Sequence, residues 1–276
     1  MLAGVKLPHM ECRLSEISNC HLCNSPNELQ DSHIIPRSYF KSLKGKSGQL
    51  ITVSTDESIR AKLSNADPKE KLLCSDCEQH IGRNFEQYGT RLFKDHCKVT
   101  RTKEVVIFNQ FRFKEFYLFL ISILWRASIS SLPRYKHIDL GIKFNNLLRH
   151  CLKENTLKIQ TSLRLDYFFK ISVIRIIDKT MQLNDNEIKK TLFDFNYEKG
   201  ASLDDGMLWY FMVDGFLIIY HLYPEKDINI IRTKRNYAQI TNKQRMAVPI
   251  SDISNFKQLV AGFSSMTKQA VARNKR

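Results

Sequence analysis

The residues with the most distinctive chemistry are four cysteines in two C-x-x-C pairs, Cys20 with Cys23 and Cys74 with Cys77. Two thiolates that stand two residues apart on a tight turn can bind one ion, and two such pairs complete the tetrahedral shell that Zn²⁺ prefers. The first hundred residues are polar and lack long apolar segments, so a bound metal would supply folding free energy that they otherwise lack. We therefore predict a structural zinc site, with unrelated buried or redox-active cysteines as the alternative.

A short strand is predicted between the two cysteine pairs, in the segment LQDSHIIPR at positions 29–37. Strand alternation places its Asp31 and His33 on one face. The second cysteine pair is followed at once by Glu78, which opens a predicted helix. These features together resemble the zinc-stabilised branch of the HNH, or ββα-metal, endonuclease family, over roughly a quarter of the chain from Cys20 to Phe93.

The resemblance implies catalytic roles for particular residues. His33 falls on the general base, which takes a proton from the water that attacks a phosphodiester. Glu78 falls on the helix position that binds a catalytic cation, Mg²⁺ or Mn²⁺. The family's other ligand immediately precedes the histidine, and that position is Ser32 here. Three alternatives stay open: Asp31 replaces that ligand, Ser32 acts through a water, or the site is impaired. His80 is a further candidate ligand for the catalytic cation.

Each of these residues also has a structural interpretation. His33 beside two isoleucines is compatible with a buried structural histidine, and Glu78 with a carboxylate favoured by the N-terminal end of a helix dipole. His80 is compatible with a surface residue. The family's central Asn is replaced by Lys69, so the sequence does not identify the group that orients His33.

The charge of the chain favours a polyanionic partner. Lys and Arg number 43 against 28 Asp and Glu, a formal net charge of +15, and such an excess costs stability unless an anion compensates it. The last 45 residues hold ten basic residues and one acidic residue, which predicts either added affinity for nucleic acid or a solvated tail. The best candidates for phosphate contacts follow His33, in a loop that is otherwise interpreted as solvated: Arg37, Lys41, Lys44 and Lys46.

Membrane and secreted classes are not favoured. The longest apolar stretch, Phe116 to Trp125, is about half of the roughly 20 residues that span a bilayer, and the first residues lack the pattern of a signal peptide. The odd count of seven cysteines is compatible with a reducing compartment. We expect a soluble, cytoplasmic protein with no membrane partner.

The predicted fold class is α+β, with a ββα-metal module that holds the four-cysteine zinc site at residues 1–105 and a mixed helical and antiparallel-β domain at 106–276. Helices are expected over about 112–155, including a central buried helix that ends before Pro133. Strands are expected over about 165–250, with a hairpin turn at Asp214 and Gly215. A basic helix or tail, beginning near Ser251, closes the chain.

The resulting functional hypothesis is a metal-dependent HNH-type endonuclease that hydrolyses DNA, with RNA also open as a substrate. The resemblance implies a bacterial phage-defence or mobile-element setting, in which an ATPase subunit is a candidate protein partner; a homo-oligomer is also open. The alternative hypothesis is a non-catalytic zinc-stabilised nucleic-acid-binding protein or a regulatory partner subunit, which Ser32 and the missing Asn favour.

Overall fold

The computed structural model describes residues 17–39, 50–53, 62–64, 68–94, 98–199, 206–222 and 238–274. The strands are β1 (Ile17–Asn19), β2 (Pro26–His33), β3 (Leu50–Val53), β4 (Lys62–Ser64), β5 (Lys69–Cys74), β6 (Val99–Arg101), β7 (Val105–Asn109), β8 (Phe169–Ile177), β9 (Thr191–Lys199), β10 (Met207–Val213), β11 (Phe216–Leu222) and β12 (Arg245–Asp252). The helices are α1 (Ser75–Ile81), α2 (Gln87–Leu92), α3 (Phe113–Ile129), α4 (Gly141–Lys153), α5 (Leu165–Phe168), α6 (Asp185–Lys189) and α7 (Lys257–Asn274). The architecture is α+β, as the sequence predicts.

The described residues form two sheets, of which the smaller is antiparallel and has the order β1-β2-β5. Its register pairs Leu29 with Cys74 and His33 with Lys69, and it shifts by one residue between Gln30 and Asp31. Such a shift is a β-bulge, which bends the strand and redirects its side chains. Strand β5 leads without a loop into α1, because Cys74 ends the strand and Ser75 begins the helix.

A single helical run follows β5. It consists of α1, a π-helical turn at Gly82–Glu86, and α2. The apolar side of the run is buried and includes Ile81 and Phe85. Gly89 lies so close to the Phe119 ring of α3 that a Cβ atom at this position would overlap the ring, so α2 packs tightly against α3.

In the part of the chain that the structure describes, the larger sheet has nine strands in the order β4-β3-β9-β10-β11-β8-β12-β7-β6. Pairing is parallel between β3 and β9 and between β12 and β8, and antiparallel elsewhere. The predicted hairpin turn is present: Asp214 and Gly215 have φ angles of 52° and 72°, the combination that a type I′ turn needs. The positive φ of Gly215 is the reason for a glycine here, and a Cβ atom at this position would also displace the guanidinium of Arg175.

Helix α3 is the central buried helix that the sequence predicts. Its residues from Phe116 to Ala127 are all buried, and it ends at Ile129, before Pro133. The carbonyl oxygen of Leu120 accepts a hydrogen bond of 2.8 Å from the Tyr220 hydroxyl, which fixes α3 against the larger sheet.

Strands from both sides of residue 105 pair within the larger sheet. Strands β3, β4 and β6 precede that residue, and β9 and β12 follow it. One apolar cluster also extends from Cys20 of the first cysteine pair to Val248 of β12. The two halves of the described chain therefore share a sheet and a core.

The last helix begins later than the sequence predicts. Residues 251 and 252 complete β12 by pairing with β8, and a 3-10 turn at Ile253–Asn255 precedes α7. The Asp252 carboxylate accepts a 2.9 Å hydrogen bond from the amide of Ser254 and ends the strand there. Within the described residues, no helix has both the length and the apolar character to cross a bilayer.

Candidate metal centre and active site

The two cysteine pairs converge. The Sγ atoms of Cys20, Cys23, Cys74 and Cys77 all lie within 4.8 Å of one another, and those of Cys23 and Cys74 are 4.0 Å apart. Four sulfurs around one Zn²⁺ at a bond length of ~2.3 Å lie about 3.8 Å apart, so only a small contraction would close the tetrahedron. The four cysteines could hold a metal such as zinc, as their spacing predicts.

Local backbone geometry places each pair. In the first pair, the Asn24 amide donates a 2.8 Å hydrogen bond to the Cys20 carbonyl, and Asn24 adopts a φ of 62°. Asn tolerates this left-handed conformation better than most residues. In the second pair, Cys74 is the N-cap of α1 and Cys77 lies in its first turn. The Cys74 amide donates to the Cys20 sulfur at 3.3 Å, which links the two pairs.

The thiols of Cys23, Cys74 and Cys77 have unequal acidities. Burial opposes ionisation of Cys23, but hydrogen bonds with Ser25, Cys20 and Cys77 together outweigh it and lower the pKa of Cys23 to about 7. Burial raises the pKa of Cys74 and of Cys77. A metal binds the thiolate form, so loading this centre must displace protons from the buried second pair.

Ser32 and Glu78 are in direct contact beside this centre. The Ser32 hydroxyl donates a hydrogen bond to Oε1 of Glu78, which joins β2 to α1. Ser32 is fully buried, whereas Glu78 is half-buried. The position directly before His33 therefore faces the helix carboxylate, although its side chain is a hydroxyl.

Asp31 has a different partner. Its Oδ2 atom lies 2.5 Å from Nζ of Lys69, and about half of each side chain is exposed. The hydrogen bond from Lys69 is the main reason why the pKa of Asp31 is lowered, with added attraction from Lys71 and His33. Lys69 thus holds the carboxylate that precedes Ser32.

His33 is the last residue of β2, lies opposite Lys69 in the register and is half-buried. In the described part of the chain, the four cysteines form the one group of three or more Cys, His, Asp or Glu side chains whose ligand atoms lie within 4.8 Å of one another. Asp31, His33 and Glu78 are near in the fold without forming such a group.

The structure places His80 against α4. Its Nε2 atom lies 2.9 Å from the carbonyl oxygen of Leu152, and its Nδ1 atom lies 3.2 Å from Nδ2 of Asn84. Both ring nitrogens have these neighbours, so His80 joins the helical run to the end of α4.

Glu70 is a site residue that the sequence interpretation missed. It pairs with Ser32 across the β2–β5 ladder. Its carboxylate accepts hydrogen bonds of 2.5 Å from the Ser130 hydroxyl and 3.0 Å from the Ser131 amide. Burial alone would raise the pKa of Glu70, but these bonds lower it. The sequence feature that could have identified Glu70 is its position four residues before Cys74, because a strand there that pairs with the Ser32 strand places Glu70 opposite Ser32.

The candidate phosphate loop is described only at its start. Arg37 is exposed to solvent. The other three candidates, Lys41, Lys44 and Lys46, lie outside the described residues, as do positions 232–237 and 275–276 of the basic C-terminal segment.

Comparison with known proteins identified no relative: no family model, no curated protein and no solved structure matches the chain.

Proposed function

We propose that this protein is a metal-dependent nuclease of the HNH type that hydrolyses phosphodiester bonds in DNA. One observation carries the proposal: the antiparallel β2–β5 pair runs directly into α1, with His33 at the strand end and Ser32 bonded to Glu78 of the helix. This arrangement brings a base candidate and a helix carboxylate to one edge of a sheet that the cysteine centre holds together.

His33 has the properties that a general base needs. The imidazole of a histidine has an ordinary pKa near neutral pH, which suits the side chain to take a proton from water. His33 is half-buried at the end of β2, so the residue is not fully removed from solvent. The ammonium of Lys69, the cross-strand neighbour of His33, forms an ion pair with Asp31. This ion pair lies beside the proposed base.

Oxygen donors of the kind that a hard cation takes are present on the other side. The Ser32 hydroxyl donates a hydrogen bond to the Glu78 carboxylate, and Glu70 is the cross-strand neighbour of Ser32, with its own carboxylate bonded to Ser130 and Ser131. Mg²⁺ and Mn²⁺ bind through carboxylates and waters. We propose that the Glu78 carboxylate holds the catalytic cation and that the Ser32 hydroxyl orients this carboxylate. When bound, such a cation stabilises charge on the scissile phosphate and on the leaving oxygen.

The test is a cleavage assay on supercoiled and linear DNA with Mg²⁺ or Mn²⁺, using wild type, His33→Ala and His150→Ala. His150 is an exposed histidine of α4 and provides the matched control. We expect wild type and His150→Ala to cut at similar rates, and His33→Ala to lose at least about 100-fold, the usual contribution of a general base. Equal rates for all three proteins would contradict the proposal.

A second candidate function is zinc-stabilised nucleic-acid binding without cleavage. The specific observation in its favour is that the residue before His33 is a serine and that the nearest carboxylate, Asp31, is paired with Lys69. Wild-type protein that binds DNA but leaves it intact with every divalent cation would establish this alternative.

A further inference from the structure

A second feature of the molecule, separate from the cysteine centre, is a basic cleft between the helical run and the edge of the larger sheet. It has a volume of about 650 Å³. One wall comes from the π-helical turn and α2, and the other comes from β6, β7 and the residues after β7. The residues that line it include Arg83, Tyr88, Arg91, Lys98 and Arg112.

The charge of this cleft is one-sided. Four of the lining residues are Lys or Arg, and the described residues that line it include no Asp or Glu. Arg83, Arg91 and Lys98 are exposed. Arg112 forms an ion pair of 3.8 Å with Glu115, which lies outside the lining of the cleft. The cleft therefore concentrates positive charge at a concave surface, where the field is focused.

The spacing of the cations indicates an extended anion. Arg83 and Arg91 are eight residues apart along a helical run, which corresponds to at most about 12 Å along the helix axis. Cations spread along the run in this way suit successive phosphates of a polynucleotide. A second depression of about 550 Å³ shares Asn109 and Gln110 with the cleft and adds Arg245, so the positive surface continues past the end of β7.

Other lining groups suit the same ligand. The Arg112 guanidinium lies 4.1 Å from the centre of the Tyr88 ring, and the Tyr88 hydroxyl accepts a 2.8 Å hydrogen bond from the Arg112 amide. These contacts fix the base of the cleft. Gln87, Asn109 and Gln110 add side-chain amides, which are common partners of phosphate and sugar oxygens.

We infer that this cleft binds the phosphodiester backbone of a nucleic acid strand. The inference goes beyond the proposed cleavage, because a protein that only binds nucleic acid would use the same cleft. It also differs from the loop after His33 and from the C-terminal tail, which the sequence singled out for phosphate contacts. A backbone contact of this kind is independent of base sequence.

The test measures binding by fluorescence anisotropy in the full-length His33→Ala background, so that cleavage plays no part. The probes are a labelled mixed-sequence DNA strand of about thirty nucleotides, the corresponding RNA and the DNA duplex, each over a series of salt concentrations. The cleft variant carries Arg83→Gln, Arg91→Gln and Lys98→Gln. The control carries Lys143→Gln, Lys153→Gln and Lys158→Gln, three exposed lysines on or just after α4 that remove the same charge.

The salt slope is the steepness with which the logarithm of the binding constant falls against the logarithm of salt concentration, and each lost phosphate contact lowers it by about 0.7 for a single strand. The salt slope of the cleft variant should therefore be smaller by about 2. At about 0.1 M salt, this variant should bind the DNA strand on the order of 100-fold more weakly. The control should stay within about threefold of the parent because it changes only the overall field. Arg83→Gln alone, which replaces one exposed side chain, should lower the slope by about 0.7.

Equal losses in the cleft and control variants would overturn the inference, because net charge alone would then explain binding. An unchanged slope in a cleft variant with a normal melting curve would also overturn it, as would a parent protein that binds none of the three probes at low salt. None of these results depends on whether the wild type cuts DNA, so the proposed nuclease activity is tested separately.

Discussion

Ser32 is the residue on which the geometry of the candidate active site depends most directly. It is fully buried, it donates to Glu78 and it pairs with Glu70 across the strands. Asp31, one residue earlier, is half-exposed and bound to Lys69. Sequence alternation correctly separates Asp31 from Ser32, but it cannot show which of the two meets the helix, because that depends on how α1 packs on the sheet.

Replacing Ser32 by Ala tests this contact. The change removes one hydrogen bond and leaves the half-buried Glu78 carboxylate without this donor, so we expect a loss of about 1–3 kcal/mol in the free energy of unfolding. Cleavage should also fall, since Glu78 is no longer oriented. Urea denaturation and the cleavage rate measure the two effects. Ser18→Ala, at an exposed position in β1, is the control, and equal behaviour of the two variants would argue against a role for Ser32.

At the scale of elements, the four-cysteine centre connects the Cys20–Asn24 turn, the end of β5 and the start of α1. The C-x-x-C spacing is a local signal, so the sequence predicts this centre well. Glu70 shows the opposite case. It links β5 to Ser130 and Ser131, which follow α3, and a contact between residues sixty positions apart leaves no local pattern in the sequence.

Loss of one cysteine ligand should release the metal. We expect wild type to carry one zinc ion per chain, and Cys74→Ser to lose it together with the folded β1-β2-β5 sheet, because metal binding and folding are coupled. Cys151→Ala is the matched control, since Cys151 is buried in α4 away from the centre. Zinc content and the melting curve measure the result. A Cys74→Ser protein with full zinc content and normal melting would exclude a four-thiolate site.

Replacing Glu70 by Gln should weaken the joint between β5 and the end of α3. The lost charge-assisted hydrogen bonds predict a decrease of about 1–3 kcal/mol in the free energy of unfolding at neutral pH. The pKa of Glu70 is lower in the folded protein than its ordinary value, so its contribution is present above that ordinary value, about 4.3, and is lost as the pH falls through the lower folded pKa. Urea denaturation from pH 7 downward should therefore show that the difference in the free energy of unfolding between wild type and variant becomes smaller in acid. A difference that is the same at every pH would contradict this.

At the scale of the whole molecule, the two halves of the described chain form one packed unit. Apolar spacing predicts α3, and the Asp214–Gly215 pair within a β-branched and aromatic stretch predicts the hairpin turn, because each is specified by neighbouring residues. The pairing of β3 with β9, on the other hand, joins residues more than a hundred positions apart. An ion pair also joins the two halves: Arg126 of α3 is almost fully buried, and its guanidinium lies 2.5 Å from the Glu86 carboxylate.

Removing Glu86 should destabilise the whole molecule. Glu86→Ala would leave the Arg126 guanidinium buried without this partner. We expect the free energy of unfolding to fall by about 3–5 kcal/mol, the usual effect of breaking a buried ion pair. Calorimetry should show one unfolding transition that moves as a unit, because helix and sheet share a core. Lys189→Ala, which breaks the more exposed pair with Asp185, should have a smaller effect. Two transitions, of which only one responds to Glu86→Ala, would contradict a shared core.

The most direct test of the central claim, that His33 is the base of a nuclease, is chemical rescue. His33→Gly leaves space for a free imidazole, so we expect its DNA cleavage rate to be low without imidazole and to rise by at least about 10-fold as imidazole is added, because a diffusible base can replace the missing one. His150→Gly should cut normally with or without imidazole. A His33→Gly protein that retains its zinc and cuts as fast as wild type, or one that stays inactive at every imidazole concentration, would contradict the account.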